Sequence, residues 1–207
     1  MHRIKFAAVL MLAALLAVTG CSSRKVVSRI DASETVDLSG NWNDTDSRLV
    51  SDTMITDALS QNGQNRPWLT TFLKAKGKNP AVIVGGIQNL TDEHIATGTF
   101  VGDIERAFIN SGSVNVVSAK EEREGVREER QDQQANASAE TMKKFGEELG
   151  ADYMLMGSIN KITDQEGKER IAYYQIDLNL TDMQSNQKVW MGQKKIKKYI
   201  AQKPYKP

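Results

Sequence analysis

The chain is poor in the residues that most enzymes use. It has 1 cysteine, 2 histidines and 4 prolines among 207 residues. One thiol cannot close an internal disulfide, and so few cysteines and histidines leave no ligand set for a zinc centre. His2 lies in the leading segment, so His94 is the one histidine beyond it, which leaves little room for serine–histidine chemistry. The glycine pair Gly85-Gly86 follows an apolar run but lacks the GxGxxG or lysine-serine pattern of a phosphate loop. Asp177 and Glu169 are paired acids that glycan cleavage would need, yet they fall on a strand and a turn with nothing to raise one pKa. Basic and acidic residues nearly balance, 27 against 26, so there is no basic excess to suggest nucleic acid. No catalytic residue, metal ligand or cofactor is expected. The longest apolar run, Phe6 to Val18, is also shorter than the roughly 20 residues that a membrane-spanning helix needs.

What is present begins with that run. His2, Arg3 and Lys5 precede it as a short basic start, and it carries no charge, the pattern of a secretory signal. It ends in Val18-Thr19-Gly20-Cys21, which resembles the lipobox of bacterial lipoproteins: an aliphatic residue, two small ones, then cysteine. The alternative, that Cys21 ends a buried helix, would leave a reactive lone thiol in an exported protein. The resemblance implies cleavage before Cys21, diacylglycerol in thioether linkage to its sulfur, and acylation of the new amine. Two or three acyl chains hold firmly where one does not, because each buried methylene adds about 0.8 kcal/mol. Neither Ser22 nor Ser23 is acidic, which implies outer-membrane attachment facing the periplasm.

Three segments are therefore expected: a lipoprotein signal peptide over 1–20, the lipidated cysteine and a tether over 21–39, and a globular domain over 40–207. Loss of Arg3 and Lys5 lowers the basic count from 27 to 25, against an unchanged 26 acidic residues. The tether is polar, with no proline and no glycine before Gly40. Eighteen or so residues span about 60 Å fully extended and about 25 Å as a relaxed coil.

Within the domain, Asp44-Thr45-Asp46-Ser47 offers a choice of caps. Leu49, Val50, Met54, Ile55, Ala58 and Leu59 then predict a helix to about Gln61, followed by a loop at Asn62-Gly63-Gln64-Asn65. Pro67 opens a second helix carrying Trp68, Leu69, Phe72 and Leu73, with Gly77 at its end. Pro80 to Ile87 reads as a buried strand. Thr97 or Thr99 offers a cap for a helix through Phe100, Ile104 and Phe108 that stops at Gly112, and Val114 to Val117 is a second strand. Lys120 to Gln134 is nearly all charged or amide, with Val126 its one large apolar residue. It reads as a solvated helix or disordered arm, or as a partner contact. Ser138 offers a cap for a helix through Met142, Phe145 and Leu149 to Gly150.

Three strands end the chain. Tyr153 to Ile159 reads as buried on both faces. Glu166-Gly167 marks a hairpin, and Ala172, Tyr174, Ile176, Leu178 and Leu180 alternate with polar residues as in a sheet half exposed to water. After a turn over Met183 to Asn186, Val189 to Ile200 is the last strand. Its lysines Lys194, Lys195, Lys197 and Lys198 either shield a sheet edge from other chains or form a basic partner-binding strip. The fold class is α/β: a mixed β-sheet with packed helices and an antiparallel C-terminal meander.

Several stretches in this order resemble the LpoB-type lipoproteins, outer-membrane activators of penicillin-binding proteins. They are Ser39-Gly40-Asn41-Trp42-Asn43-Asp44, Ile87-Gln88-Asn89-Leu90-Thr91, Asn110-Ser111-Gly112 with Val114 to Val117, Gly150-Ala151-Asp152 running into Tyr153 to Ile159, and Lys188-Val189-Trp190-Met191-Gly192. The resemblance implies a non-enzymatic domain related to the N-terminal domain of TolB, whose partner is a penicillin-binding protein, a bifunctional peptidoglycan synthase. Well-known members carry a long proline-rich tether, whereas this one is short and proline-free. Either the target comes closer to the membrane, or the partner differs. A scaffold or transport-associated envelope lipoprotein of the same fold is the alternative; a ring-forming channel subunit would need long membrane hairpins that are absent.

Overall fold

The computed structural model describes residues 25–59, 67–136 and 148–201. The chain divides into two compact units, Met1–Glu34 and Thr35–Pro207. In the first, residues 25–34 hold a turn in which the Asp31 carboxylate accepts from the backbone and hydroxyl of Ser33. The second unit carries every element below.

Its elements are α1 (Asp44–Leu59), α2 (Pro67–Lys76), β1 (Ala81–Asn89), α3 (Thr97–Ser111), β2 (Asn115–Val116), α4 (Lys120–Asn136), β3 (Tyr153–Glu166), β4 (Glu169–Asp182) and β5 (Lys188–Ala201). The five strands form one sheet in the order β2-β1-β3-β4-β5. β1 is parallel to β2 and β3, while β3, β4 and β5 are antiparallel neighbours. This is the mixed α/β architecture expected, with the C-terminal meander in place. The loop expected at 62–65 and most of the helix expected from Ser138 lie outside the described residues.

The first helix begins one residue earlier than its acidic run suggests. Asn43 is the cap: its side-chain oxygen accepts from the Asp46 backbone N–H at 3.1 Å, and the Asp46 carboxylate accepts from the Asn43 N–H at 3.0 Å. Two otherwise orphaned donors are thus satisfied reciprocally. Val50, Met54, Ile55 and Ala58 form its buried stripe, while Leu49 faces outward. α2 starts at Pro67 and ends where Gly77, at φ 65°, returns its N–H to the Leu73 carbonyl. Neither Thr97 nor Thr99 caps α3. Ala96 holds that position without a side-chain bond, and both threonines fall inside the first turn.

Gly85 and Gly86 are explained by β1. Its pairing with β3 steps from Val84↔Leu155 to Ile87↔Gly157, so β1 carries one extra residue there. The glycines form a bulge, and a side chain at Gly85 would press on the Leu155 carbonyl. β2 is shorter than its apolar run, with two residues in the ladder.

The meander differs from expectation in β3. That strand runs to Glu166, and its burial alternates along its first half instead of covering both faces. β4 alternates as expected, with Ala172, Tyr174, Ile176, Leu178 and Leu180 all buried. At the crossing with β3, a side chain at Gly157 would collide with the Asp177 carbonyl and Leu178. α1 packs on α3 and β5, and α3 on β1 and β2, so the core sits on one face of the sheet. Each large side chain fully buried there, such as Phe100, Ile104 or Leu180, contributes about 1.5–3 kcal/mol.

A buried polar network and an open sheet face

Cys21 lies outside the described residues. His94 is exposed, and among the described residues no three His, Cys, Asp or Glu side chains converge to hold a metal. Glu169 and Asp177 stand eight residues apart on one extended strand, about 26 Å along it. That is far beyond the roughly 5–9.5 Å between the carboxylates of a glycosidase pair. Asp177 instead accepts hydrogen bonds from Gln175 and Gln193, both at 2.8 Å. No helix among the described residues is long and apolar enough to cross a membrane.

The polar residues that do converge lie under the entry of the chain into the domain. Glu93 is their centre. One carboxylate oxygen accepts from the Tyr174 hydroxyl at 2.6 Å and from Lys161 Nζ at 2.8 Å, and the other from the Trp42 backbone N–H at 2.9 Å. Lys161 is 4% exposed and also reaches Asp92 at 2.8 Å. Burial pushes the Glu93 carboxyl up, but its bonds to Lys161, Tyr174 and Trp42 outweigh that and hold it below the usual carboxylate range. Burial, together with the Glu93 carboxylate beside it, pushes the Tyr174 hydroxyl far above its ordinary value. Asn89 sets Glu93 in place: its side chain accepts from Thr91 and donates to the Glu93 carbonyl. The Trp42 ring lies edge-on to Phe100 and Tyr174 at 6.3 and 5.6 Å, and its Nε1 donates to Ser47.

A second knot lies beside it. Lys198 Nζ is 2.6 Å from both Asp37 and Asp46 and donates to the Asn41 carbonyl at 3.0 Å. Arg170 donates to the Ser39 carbonyl. Gly40 takes φ 72°, and a side chain there would also strike Ile200, so both the backbone and the packing call for glycine. The stretch from Ser39 to Asp44 is thus built to bind the chain's entry to β4 and β5. The other family-like stretches are also structural. Asp152 exchanges bonds with both backbone groups of Ala81, pinning β3 to β1, and Trp190 donates to Asp57.

The lysines of β5 separate by register. Lys194 and Lys198 lie on the core face opposite Ile176 and Ala172, while Lys195 and Lys197 lie on the outer face opposite Gln175 and Tyr173. β5 is an edge strand, and an inward-pointing charge such as Lys198 is one device that protects an edge. On the outer face, Ile162, Tyr199 and Met191 are more than 60% exposed. α4 is the solvated helix expected of its composition, with Arg127 in a two-pronged ion pair with Glu148 at 2.8 and 2.7 Å. A cleft of about 480 Å³ opens between α2 and the start of β3, floored by Phe72 and Tyr153. Its Asp152 and Asp182 are already engaged with backbone donors.

The family model for the peptidoglycan-synthase activator LpoB matches residues 46–196, and the chain belongs to that family. Among solved structures it is similar to the LpoB C-terminal domain from Escherichia coli, at 15% identity and TM-score 0.42, over 73% of this chain and 98% of that one. It is also similar to lipoprotein GNA1162 from Neisseria meningitidis, at 17% identity and TM-score 0.34, over 58% and 83% of the two chains. No curated protein sequence matches.

Proposed function

We propose that this protein is anchored to the outer membrane through lipid on Cys21, faces the periplasm, and binds and activates a bifunctional peptidoglycan synthase. The observation that carries the reading is the match to the synthase-activator family over residues 46–196. Stimulation without chemistry follows if the domain binds the competent conformation of the synthase more tightly than the resting one. The tether proposed over 21–39 reaches about 60 Å fully extended, so the synthase surface it meets lies within that distance of the membrane.

Two results are expected. Detergent-solubilised mature protein should increase the glycan output of a bifunctional synthase from the same cell, saturably, and should neither cut nor polymerise glycan alone. If no such synthase binds at high micromolar concentration, a scaffold or transport-associated lipoprotein is the better account. Separately, Cys21→Ser should leave the folded domain unprocessed and without lipid, because the thiol is the alkylated group. Recovery of a lipid-modified Cys21→Ser protein from the outer membrane would overturn the anchor.

A further inference from the structure

We infer that residues 25–30, just after the lipidated cysteine, form a second membrane contact and lie on the anionic phospholipid headgroups of the leaflet that holds the acyl chains. The inference rests on the anchor reading and adds to it a surface and the lipid charge which that surface takes. The segment is Lys25-Val26-Val27-Ser28-Arg29-Ile30, and it joins no helix or strand. Val26 is 87% and Val27 92% exposed, and Ile30 is more than half exposed. Lys25 and Arg29 are exposed beside them, and among the described residues neither side chain has a hydrogen-bond or ion-pair partner. A spacer that only had to stay solvated would have no use for two valines and an isoleucine. Set among cations next to a lipid anchor, they suit a headgroup boundary, where apolar side chains turn inward and cations meet phosphates.

The order of charges along the chain selects the occupant. Residues 22–30 hold Arg24, Lys25 and Arg29 and no acid, whereas residues 31–39 hold Asp31, Glu34 and Asp37 and no base. Interspersed, these charges would cancel. Segregated, the first block is drawn to an anionic surface and the second is repelled from it. The sign changes at a turn, where the Glu34 N–H donates to the Asp31 carbonyl and Ser33 donates twice to the Asp31 carboxylate. The bonds from Ser33 hold the Asp31 carboxyl below its usual range, so it stays charged. Asp37 is bound to Lys198, which leaves Asp31 and Glu34 as the acids nearest the basic block. Lipid on Cys21 keeps that block within nine residues of the membrane, a high effective concentration that no soluble acidic partner has. Once the block is bound, the free tether shrinks from residues 22–39 to 31–39, and its extended reach falls from about 60 to about 30 Å. Anionic lipid thereby sets how far the domain extends toward its synthase.

The test uses the full mature lipoprotein in phosphatidylcholine vesicles made with or without phosphatidylglycerol. The one cysteine of the chain is the lipidated one, so Ser28→Cys can carry a nitroxide label. That label should be shielded from a water-soluble relaxant when phosphatidylglycerol is present and accessible when it is absent. A label on Thr35→Cys should be accessible in both. Adding Lys25→Gln and Arg29→Gln should lower the ratio of surface-bound to free segment by about twenty-five-fold, about five-fold for each cation. Raised salt should release the parent segment in the same way. Both changes lie outside the compact unit that starts at Thr35, so the domain should melt as the parent does. Equal access at position 28 in both vesicles, with the protein still anchored, overturns the contact and leaves the anchor reading intact. Equal shielding in both overturns the selection for anionic lipid, and shielding only after synthase is added assigns the segment to a protein partner instead. If the mature protein does not float with vesicles at all, the anchor reading itself fails, and this contact with it.

Discussion

Glu93→Ala should destabilise the domain by about 3–5 kcal/mol, the range found when one partner of a buried ion pair is removed. Lys161, 4% exposed, would keep only Asp92, which is 74% exposed. The Tyr174 hydroxyl and the Trp42 N–H would lose their acceptor as well. In a domain of this size each kcal/mol corresponds to about 2–4 °C, so melting should fall by roughly 10 °C or more. Glu93→Gln should cost less, because an amide oxygen still accepts from Tyr174. The same site governs acid sensitivity. The Glu93 carboxyl is held below its usual range in the folded state, so its contribution is complete above the unfolded value near 4.5 and is lost as pH falls through the lower folded value. Glu93→Gln should therefore flatten the stability profile below about pH 4.5. An unchanged melting temperature in Glu93→Ala, followed by circular dichroism, would show that the network does not hold the fold.

Lys198→Ala should be of similar size, about 3 kcal/mol. It leaves Asp46, 5% exposed, without its cation, and it cuts the link from β5 to the Asn41 carbonyl. Burial pulls the Lys198 amine down, but hydrogen bonds to Asp37 and Asp46 outweigh that and raise it above its ordinary value. Its contribution is therefore present below about 10.5 and lost as pH rises through the folded value. Because Lys198 and Asp46 act as a pair, Asp46→Ala with Lys198→Ala should cost at least about 1 kcal/mol less than the two single changes added. Strict additivity in urea denaturation would show that the two residues do not act as a pair. Lys195→Ala, on the other face, should have little effect on stability.

Much of this was legible because it depends on neighbours in the chain. The period-two pattern from Ala172 to Leu180 already implies a strand with one buried face, and Gly77 and Gly112 already mark helix ends that need positive φ. Other readings erred for equally local reasons. Asn43, not the acids at 44 and 46, caps the first helix; the helix dipole and the cap favour the same short polar residues, so residue type alone does not separate them. Thr97 and Thr99 suit a cap by type, yet both lie inside the first turn of α3, after Ala96.

The apolar run ahead of Cys21 and the helical and alternating stripes are properties of the sequence by itself, because each rests on residue type and on spacing along the chain. Tertiary structure alone decided the rest. Trp42, Glu93, Lys161 and Tyr174 meet from four separate segments, and no local pattern links them. The division of the β5 lysines is likewise a matter of register. Neighbouring residues on a strand point to opposite faces, so pairing with β4 sent Lys198 to the carboxylates of Asp37 and Asp46 and Lys195 and Lys197 to the outer face.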